Sequence, residues 1–349
     1  MGSFRKRRQK EEDKASLWTE QAYDALDAGE LKTAEKLAAK LQEIGFSSWF
    51  EIQALVDLRR DDPEAAIAVL REGLEKAPSV WSLWQLLGNT LSNQNEFEEA
   101  LRCYESALRL DIAIGARASI EFNRATLLGR QRNYAGALRF ARELEALEGI
   151  PEGLLWQTQA MIMRSLSHLG RGEELLESAA ALHYALDSVD VENEDSYDDY
   201  CLVAAWSQGS LALLDSAKYL EAREWAMRAL MLKHTNDDAL HALRFSDPDA
   251  PLSNQWFQVI LEGEWEKPEI IDEDGVEVIA EGEHGFFATH VVIARSKEEA
   301  ESLALEFESP RWQAPLIVKE SSLQGECNPT PIGIRRTFGY GIFPRDEAE

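Results

Sequence analysis

Two histidines in the last quarter of the chain have the clearest capacity for metal or acid–base chemistry. His284 and His290 have the same parity, so an extended strand would place both on one face, and Glu283 precedes the first. A metal site needs a third ligand at the right distance, and the spacing does not provide one. We therefore interpret both histidines as ordinary surface residues.

The sequence contains none of the short motifs that carry well-known chemistries. It has no G-x-S-x-G, no H-E-x-x-H and no G-x-x-x-x-G-K-[ST]. Carboxylates are frequent from Glu262 to Glu283, but a catalytic pair does not stand out within such a solvated acidic run. We therefore assign no catalytic, cofactor-binding or metal-ligating residue and no cofactor, and we predict that the protein is not an enzyme.

A second acidic run lies in the middle of the chain and carries seven carboxylates and no cation. These are Asp187, Asp190, Glu192, Glu194, Asp195, Asp198 and Asp199. The run is a solvated loop, a docking strip for a basic partner, or a calcium site. An EF-hand loop requires a glycine, which is absent, so calcium ranks last. We refer to this segment as the acidic docking loop.

The overall charge restricts the class of partner. Asp and Glu outnumber Lys and Arg by 63 to 36, which gives a net charge of −27. A field of that sign repels nucleic acid and anionic membranes, so neutral or cationic partners are favoured. Residues 1–13 begin with a basic run, which we expect to be a disordered tail.

The compartment is indicated by the cysteines and by the apolar pattern. Cys103, Cys201 and Cys327 are far apart, without C-x-x-C spacing, which favours a reducing compartment and no zinc site. No secretory apolar core and no long uncharged apolar stretch occurs. We expect a cytoplasmic protein that does not enter a membrane.

Helical spacing dominates the first two thirds of the sequence. Residues 81–111 read WSLWQLLGNTLSNQNEFEEALRCYESALRLD. Apolar and small residues recur at helical spacing before and after a polar break at Asn93–Asn95, which predicts two helices joined by a tight turn. The same template recurs 34 residues upstream, where Phe50 corresponds to Trp84 and Ala54 to Gly88.

This pattern resembles the tetratricopeptide repeat, W-x-x-L-G-x-x-[aromatic or aliphatic] followed by F-x-x-A-x-x-x-Y-x-x-A. Trp84, Gly88, Phe97, Ala100 and Tyr104 occupy its main positions. The resemblance implies an all-α superhelix of about six helical hairpins over residues 14–246, closed by a helix at 237–245. It also implies a binding scaffold whose concave groove is lined by the first helix of each hairpin.

The ligand-facing positions that this resemblance implies are mostly amides and hydroxyls, which suit the backbone of an extended peptide. They are Gln85, Asn89, Asn93, Asn123, Thr126, Arg130, Gln157 and Arg164. Asn89 and Asn123 match the amides of the carboxylate-clamp subset, but Gln85, Leu154 and Thr158 stand where that subset has cations. A carboxylate clamp is therefore not expected. The plain alternative is ordinary polarity of a helix surface, and neither asparagine is expected to belong to the core.

The helical period ends at a linker over residues 247–252. Strand-like runs at 256–261, 286–294 and 316–318, with a helix that begins at a capping box from Ser296 to Glu299, then predict a small α+β domain over residues 253–349. A ferredoxin-like arrangement is one candidate for it.

The sequence favours a non-enzymatic scaffold that binds another protein, basic or an extended peptide, through the concave groove. One alternative is an immunity or inhibitor protein that neutralises a basic enzyme, since the charge of −27 would steer it to a cationic target. Another is an enzymatic or regulatory activity in the C-terminal domain.

Overall fold

The computed structural model describes residues 2–189, 199–265, 269–271, 277–279 and 284–344. Helices occupy the first two thirds of the chain and form six successive pairs before a single last helix. The pairs are α1 (Gly2–Asp27) and α2 (Leu31–Glu43), α3 (Ser48–Arg59) and α4 (Pro63–Lys76), α5 (Trp81–Asn93) and α6 (Phe97–Leu108), α7 (Ile114–Arg130) and α8 (Tyr134–Glu145), α9 (Glu152–His168) and α10 (Gly172–Asp187), and α11 (Asp199–Asp215) and α12 (Tyr219–Leu232). The single helix is α13 (Asp237–Phe245), at the predicted position.

Each of the six turns inside a helix pair contains one residue with a left-handed backbone. The residues are Gly29, Asp61, Asn95, Arg132, Gly170 and Ala217, with φ between 55° and 75°. This conformation ends the first helix and lets the chain reverse within a few residues. The polar break that the sequence places at Asn93–Asn95 is one of these turns.

The chain divides into two compact units, each with its own core. The N-terminal unit comprises Met1–Gly136 and Ala146–Ile150. Within it the small residues expected at helix contacts are buried: Ala100 and Ala107 are fully shielded from solvent. Gly88 on α5 faces Tyr104 on α6 so closely that a Cβ atom at position 88 would lie 2.6 Å from Cε1 of the tyrosine. Only glycine permits this approach.

Residues 2–13 differ from the expected disordered tail because they form the first half of helix α1. The segment from Arg5 to Glu12 consists of Arg, Lys, Gln and Glu, which have high helix propensity, and it contains neither Gly nor Pro. Residues of high helix propensity can form a helix even in a charged run, because the helix continues into a segment that packs in the core. From Ala15 onward that segment packs in the core with α2 and α3.

The C-terminal unit comprises Ala137–Glu145 and Pro151–Glu349. It contains α9 to α13 and the strands β1 (Leu252–Trp265), β2 (Glu269–Ile271), β3 (Glu277–Ile279), β4 (His284–Ile293), β5 (Ile317–Pro331), β6 (Gly333–Thr337) and β7 (Gly341–Pro344), with helix α14 (Lys297–Glu308) between β4 and β5. Trp206 and Trp225 of the helices and Phe257 and Phe286 of the strands belong to one hydrophobic cluster.

The main sheet has the strand order β5-β1-β4-β6, with β7 also paired to β4, and the short strands β2 and β3 pair separately. Strand β1 is antiparallel to both β4 and β5. Strands β4 and β5 are therefore parallel, and the β4–α14–β5 connection crosses over β1. This split β-α-β unit is a part of the ferredoxin-like arrangement. Among the described residues after Leu252, α14 is the one α-helix.

The helical region and the sheet are linked across the predicted linker. Arg336 of β6 pairs with Asp237 of α13 at 3.3 Å, and the hydroxyl of Thr337 donates to the carbonyl of His234 at 2.9 Å. Pro251, at the end of the linker, accepts a hydrogen bond from the backbone N–H of Ile332. The domain limits 14–246 and 253–349 stay a prediction, but the last helices and the sheet share a core.

Among the helices of the described residues, none combines the length and the apolar character that a membrane crossing requires.

Candidate functional site

Asn89 and Asn123 occupy matching turns of two consecutive first helices in the N-terminal unit. Nδ2 of Asn123 on α7 donates to Oδ1 of Asn89 on α5 at 3.0 Å. The same oxygen accepts from the hydroxyl of Tyr104 at 2.9 Å. The two asparagines are 34 residues apart, and both side chains are half-buried rather than free in solvent. The structure thus joins the two amides that the sequence analysis singled out.

Two further contacts between α5 and α7 involve predicted groove residues. Nε2 of Gln85 donates to Oγ of Ser119 at 2.9 Å. The guanidinium of Arg130 donates to Oγ of Ser92 at 2.9 Å and to Oδ1 of Asn93 at 3.2 Å. These bonds lie on either side of the Asn89–Asn123 pair along the helices. Together the three contacts form a row of cross-helix bonds that we call the polar ladder.

The remaining α7 residue, Thr126, is exposed beside the polar ladder. The guanidinium of Arg130 also lies 5.7 Å from the centre of the Phe97 ring. Arg130 is therefore held from both sides by α5 and α6. Its interpretation as a carboxylate partner stays a prediction.

The same type of bonding connects the earlier first helices, where sequence reasoning missed the residues. Glu51 on α3 accepts from the hydroxyls of Tyr23 on α1 and Ser82 on α5, each at 2.6 Å. Burial, with a further contribution from Glu51, raises the pKa of Tyr23. Glu51, Gln85 and Ser119 are spaced by 34 residues. Extending the repeat period from apolar to polar positions would have found Glu51 and Ser119 from Gln85, but not Tyr23.

The hydrogen bonds of the polar ladder leave specific atoms of the asparagine pair available. Oδ1 of Asn89 has two donors and is saturated. Among the described residues, Nδ2 of Asn89 and Oδ1 of Asn123 have no hydrogen-bond partner. The bonded pair therefore keeps one donor and one acceptor without a partner among the described residues, and a peptide group requires one of each.

Gln157 and Arg164 lie in the C-terminal unit, and both are engaged there. Nε2 of Gln157 donates to Sγ of Cys201 at 2.8 Å. Arg164 pairs with Asp215 at 2.9 Å, so α9 and α11 are connected as α5 and α7 are. Both residues carry bonds within the fold, and the use of their side chains by a ligand stays a prediction.

The acidic docking loop is described only at its two ends. Asp187, the last residue of α10, pairs with Arg228, and the hydrogen bond and charge of that guanidinium lower the pKa of the carboxyl. Asp199 is exposed in the first turn of α11. The other five carboxylates, Asp190, Glu192, Glu194, Asp195 and Asp198, lie outside the described residues, as does Glu283.

The interpretation of His284 and His290 as surface residues is wrong, because they are 9% and 0% exposed. Both lie on the face of β4 that carries Phe286 and Ala288, which packs into the core. No group of three or more potential metal ligands was found among the described residues. The two histidines share one face of the strand, as their parity predicts, but parity does not indicate that this face is the inner one.

His290 contacts a buried carboxylate that the sequence did not reveal. Its Nε2 lies 3.5 Å from Oε2 of Glu308, the last residue of α14, which is fully buried. The indole of Trp312 and the hydroxyl of Tyr340 donate to Oε1 of Glu308. Burial, only partly offset by Glu308, lowers the pKa of His290 to about 4. The imidazole is therefore neutral near pH 7.

Comparisons with known proteins agree with this architecture. Residues 81–113 match the family model described as Tetratricopeptide repeat. A comparison with curated proteins gives no match. The matched residues comprise α5, α6, the turn between them and the five residues after α6, so this helix pair is similar to one tetratricopeptide repeat.

Solved structures similar to the chain include the APC/C hetero-tetramer Cut9–Hcn1, at a TM-score of 0.50 and 14% identity over 66% of this chain. This chain spans 42% of that protein's length. PilF of Pseudomonas aeruginosa is similar at a TM-score of 0.49 and 14% identity, over 66% of this chain and 97% of that one. At such identity the first likeness concerns the fold alone.

Proposed function

We propose that this protein is a non-enzymatic scaffold that binds an extended segment of another protein along α5 and α7. The observation that carries the proposal is the Asn89–Asn123 pair. Its unoccupied Nδ2 and Oδ1 can donate to a peptide carbonyl and accept from a peptide N–H. A ligand bound in this way is recognised by its backbone, and Gln85, Asn93, Thr126 and Arg130 surround the point of contact.

The pair is held in place before a ligand arrives. Asn89 is fixed by Tyr104, which is 2% exposed, and Asn123 is fixed by Asn89. Because both side chains are already ordered, binding does not have to order them and costs little conformational entropy. When a ligand shields such a hydrogen bond from water, losing the bond leaves an unpaired polar group. The binding free energy then weakens by about 1–3 kcal/mol.

The proposed partner is basic or neutral, and it is a protein rather than a nucleic acid. A net charge of −27 repels polyanions and attracts cationic proteins. The acidic docking loop is a second candidate contact for such a partner, acting through charge.

The sharpest test is Asn89→Asp. This substitution keeps Oδ1 as an acceptor for Tyr104 and Asn123, and it replaces the free Nδ2 donor by a negatively charged acceptor oxygen. Peptides selected from a displayed random library against the full chain supply the ligands. We expect Asn89→Asp to weaken their binding at least tenfold, as measured by titration calorimetry.

Ser106→Ala is the matched control, because Ser106 is half-buried on α6, as the asparagines are on α5 and α7, and bonds only the backbone of Arg102. It should leave peptide affinity unchanged. Equal affinity of the selected peptides for Asn89→Asp and for the unaltered chain would contradict the proposal.

A further inference from the structure

A cavity of about 500 Å³ lies between α13 and the sheet, on the opposite face of the sheet from α14. Its lining is unusual for such an acidic protein, because it contains Arg244, Arg335, Arg336 and His241 together with the rings of Trp256 and Phe338. A volume of this size is in the range of small-molecule sites. Positive charge and aromatic surface are thus concentrated in one concave place.

Arg244 on α13 lines the cavity. Its Nε and Nη1 are shielded from solvent and have no hydrogen-bond partner among the described residues. Burial, then the neighbouring Arg335, lowers the pKa of Arg244, although a guanidinium stays charged at neutral pH. A partly shielded guanidinium without a counter-charge is costly, and an anion in the cavity beside Arg244 would remove part of that cost.

The charge of the other lining groups sets the charge of the ligand. Asp237 pairs with Arg336 at 3.3 Å and neutralises it. Burial, then Arg244, lowers the pKa of His241, which is therefore neutral at pH 7. Among the described residues, Arg244 and Arg335 have no ion-pair partner. Two positive charges match a phosphate monoester, which carries about −1.5 to −2 at pH 7.

The aromatic residues indicate what the phosphate is attached to. Trp256 on β1 and Phe338 after β6 line the cavity with the apolar side chain of Val291. Opposite Trp256 on β5 stands Gly325, where a Cβ would lie 3.2 Å from Nε1 of the indole, so the absence of a side chain keeps the indole edge uncovered. A planar organic group can stack there while its phosphate reaches the arginines.

We propose that this cavity is a binding site for a small organic phosphate with a planar ring. Arg244 and Arg335 hold the phosphate through charge-assisted hydrogen bonds, and Trp256 and Phe338 hold the ring. The site is independent of the proposed peptide surface, because every residue that forms it lies in the C-terminal unit.

Phenyl phosphate is the probe, since it carries both features of the ligand. Titration calorimetry with the full chain should show binding of phenyl phosphate, weaker binding of inorganic phosphate, and no binding of phenol. Benzoate carries a carboxylate on the same ring, so comparing its affinity with that of phenyl phosphate distinguishes a carboxylate site from a phosphate site. If benzoate binds as tightly as phenyl phosphate, the assignment of a dianion is wrong.

Arg335→Gln and Arg244→Gln should each weaken phenyl phosphate binding at least tenfold. Arg335 is exposed, so Arg335→Gln should fold normally. This variant still tests the proposal if Arg244→Gln does not fold. Arg228→Gln is the matched control, because that arginine belongs to the same unit and pairs with Asp187 and Glu224 instead. Asn89→Asp should bind phenyl phosphate normally whatever it does to peptides. No binding at millimolar phenyl phosphate, or equal binding by Arg335→Gln, would overturn the proposal.

Discussion

Asn89 and Asn123 are bonded to each other at 3.0 Å across two consecutive repeats, and the buried hydroxyl of Tyr104 completes the group. Both asparagines are half-buried and lie outside the hydrophobic core, as expected, but Asn89 accepts a hydrogen bond from a core residue. Asn89 connects the surface of α5 to the interior between α5 and α6. Its substitution will affect stability as well as binding.

Asn89→Ala should lower the free energy of unfolding by about 1–3 kcal/mol, because it leaves the hydroxyl of Tyr104 buried without an acceptor. Asn89→Asp keeps that acceptor and should cost less. Urea denaturation measures both. Combining Asn89→Ala with Tyr104→Phe should recover part of the loss, since the unpaired hydroxyl is then absent. Strictly additive losses would show that the Tyr104 bond does not stabilise the protein.

Gly88→Ala and Gly129→Ala should change stability in opposite directions. At Gly88 a Cβ would lie 2.6 Å from the buried Tyr104 ring, so overpacking should cost about 1–3 kcal/mol, more than the gain in helix propensity. At Gly129, also helical, a Cβ meets nothing within 4 Å, and alanine should stabilise by up to about 1 kcal/mol. Thermal denaturation compares them. A stabilising Gly88→Ala would disprove the close contact.

Stability should fall as the pH is lowered from about 6.5 to 4, in part because of His290. Its pKa is about 4 in the folded protein and 6.5 in the unfolded chain, so the unfolded chain binds the extra proton in that window. This group contributes a slope of about 1.4 kcal/mol per pH unit. His290→Gln should flatten the profile by that amount. Glu308, His234 and Arg311 act on His290 electrostatically and are unchanged in the variant.

An identical slope of unfolding free energy against pH in the unaltered chain and in His290→Gln would show that His290 takes up its proton equally in both states. Ser309→Ala, beside the buried Glu308, serves as the control and should keep the original slope.

Cleavage of the linker should not release the C-terminal sheet. Asp247, Pro248 and Asp249 are exposed, so a protease site placed there should be cut. The two fragments should still co-elute in size-exclusion chromatography, because the helices and the sheet share a hydrophobic cluster. Arg311 also donates to the carbonyl of Leu230 at 3.1 Å across the cut. Separation in native buffer would instead support two autonomous domains with limits at 247–252.

The association rate with a basic partner should fall steeply between low and physiological salt. The charge of −27 acts over a Debye length of about 8–10 Å at physiological salt, so added ions screen the attraction. Stopped-flow mixing at several salt concentrations measures this rate. An association rate that does not depend on salt would show that electrostatic attraction does not drive binding.

The sequence by itself determined the helical repeat. A helix brings every third and fourth residue to one face, so spacing alone predicts which residues face the core. Examples are Trp84, Gly88, Ala100 and Tyr104. The same local logic located α13 and the capping box of α14. It did not reveal the helix at residues 2–13, where a charge run suggested disorder although each residue favours a helix.

Only the tertiary structure decided which polar atoms remain free for a ligand. Asn89 and Asn123 were identified from sequence, but their bond to each other depends on the distance between α5 and α7. Glu308 looks like a surface residue at the end of a helix, and it is buried because β4 and Tyr340 enclose it. Arg244 and Arg335 are 91 residues apart in the chain and share a cavity only because the sheet packs against α13. Side-chain spacing specifies local faces, whereas burial and free hydrogen-bonding capacity depend on what packs against those faces.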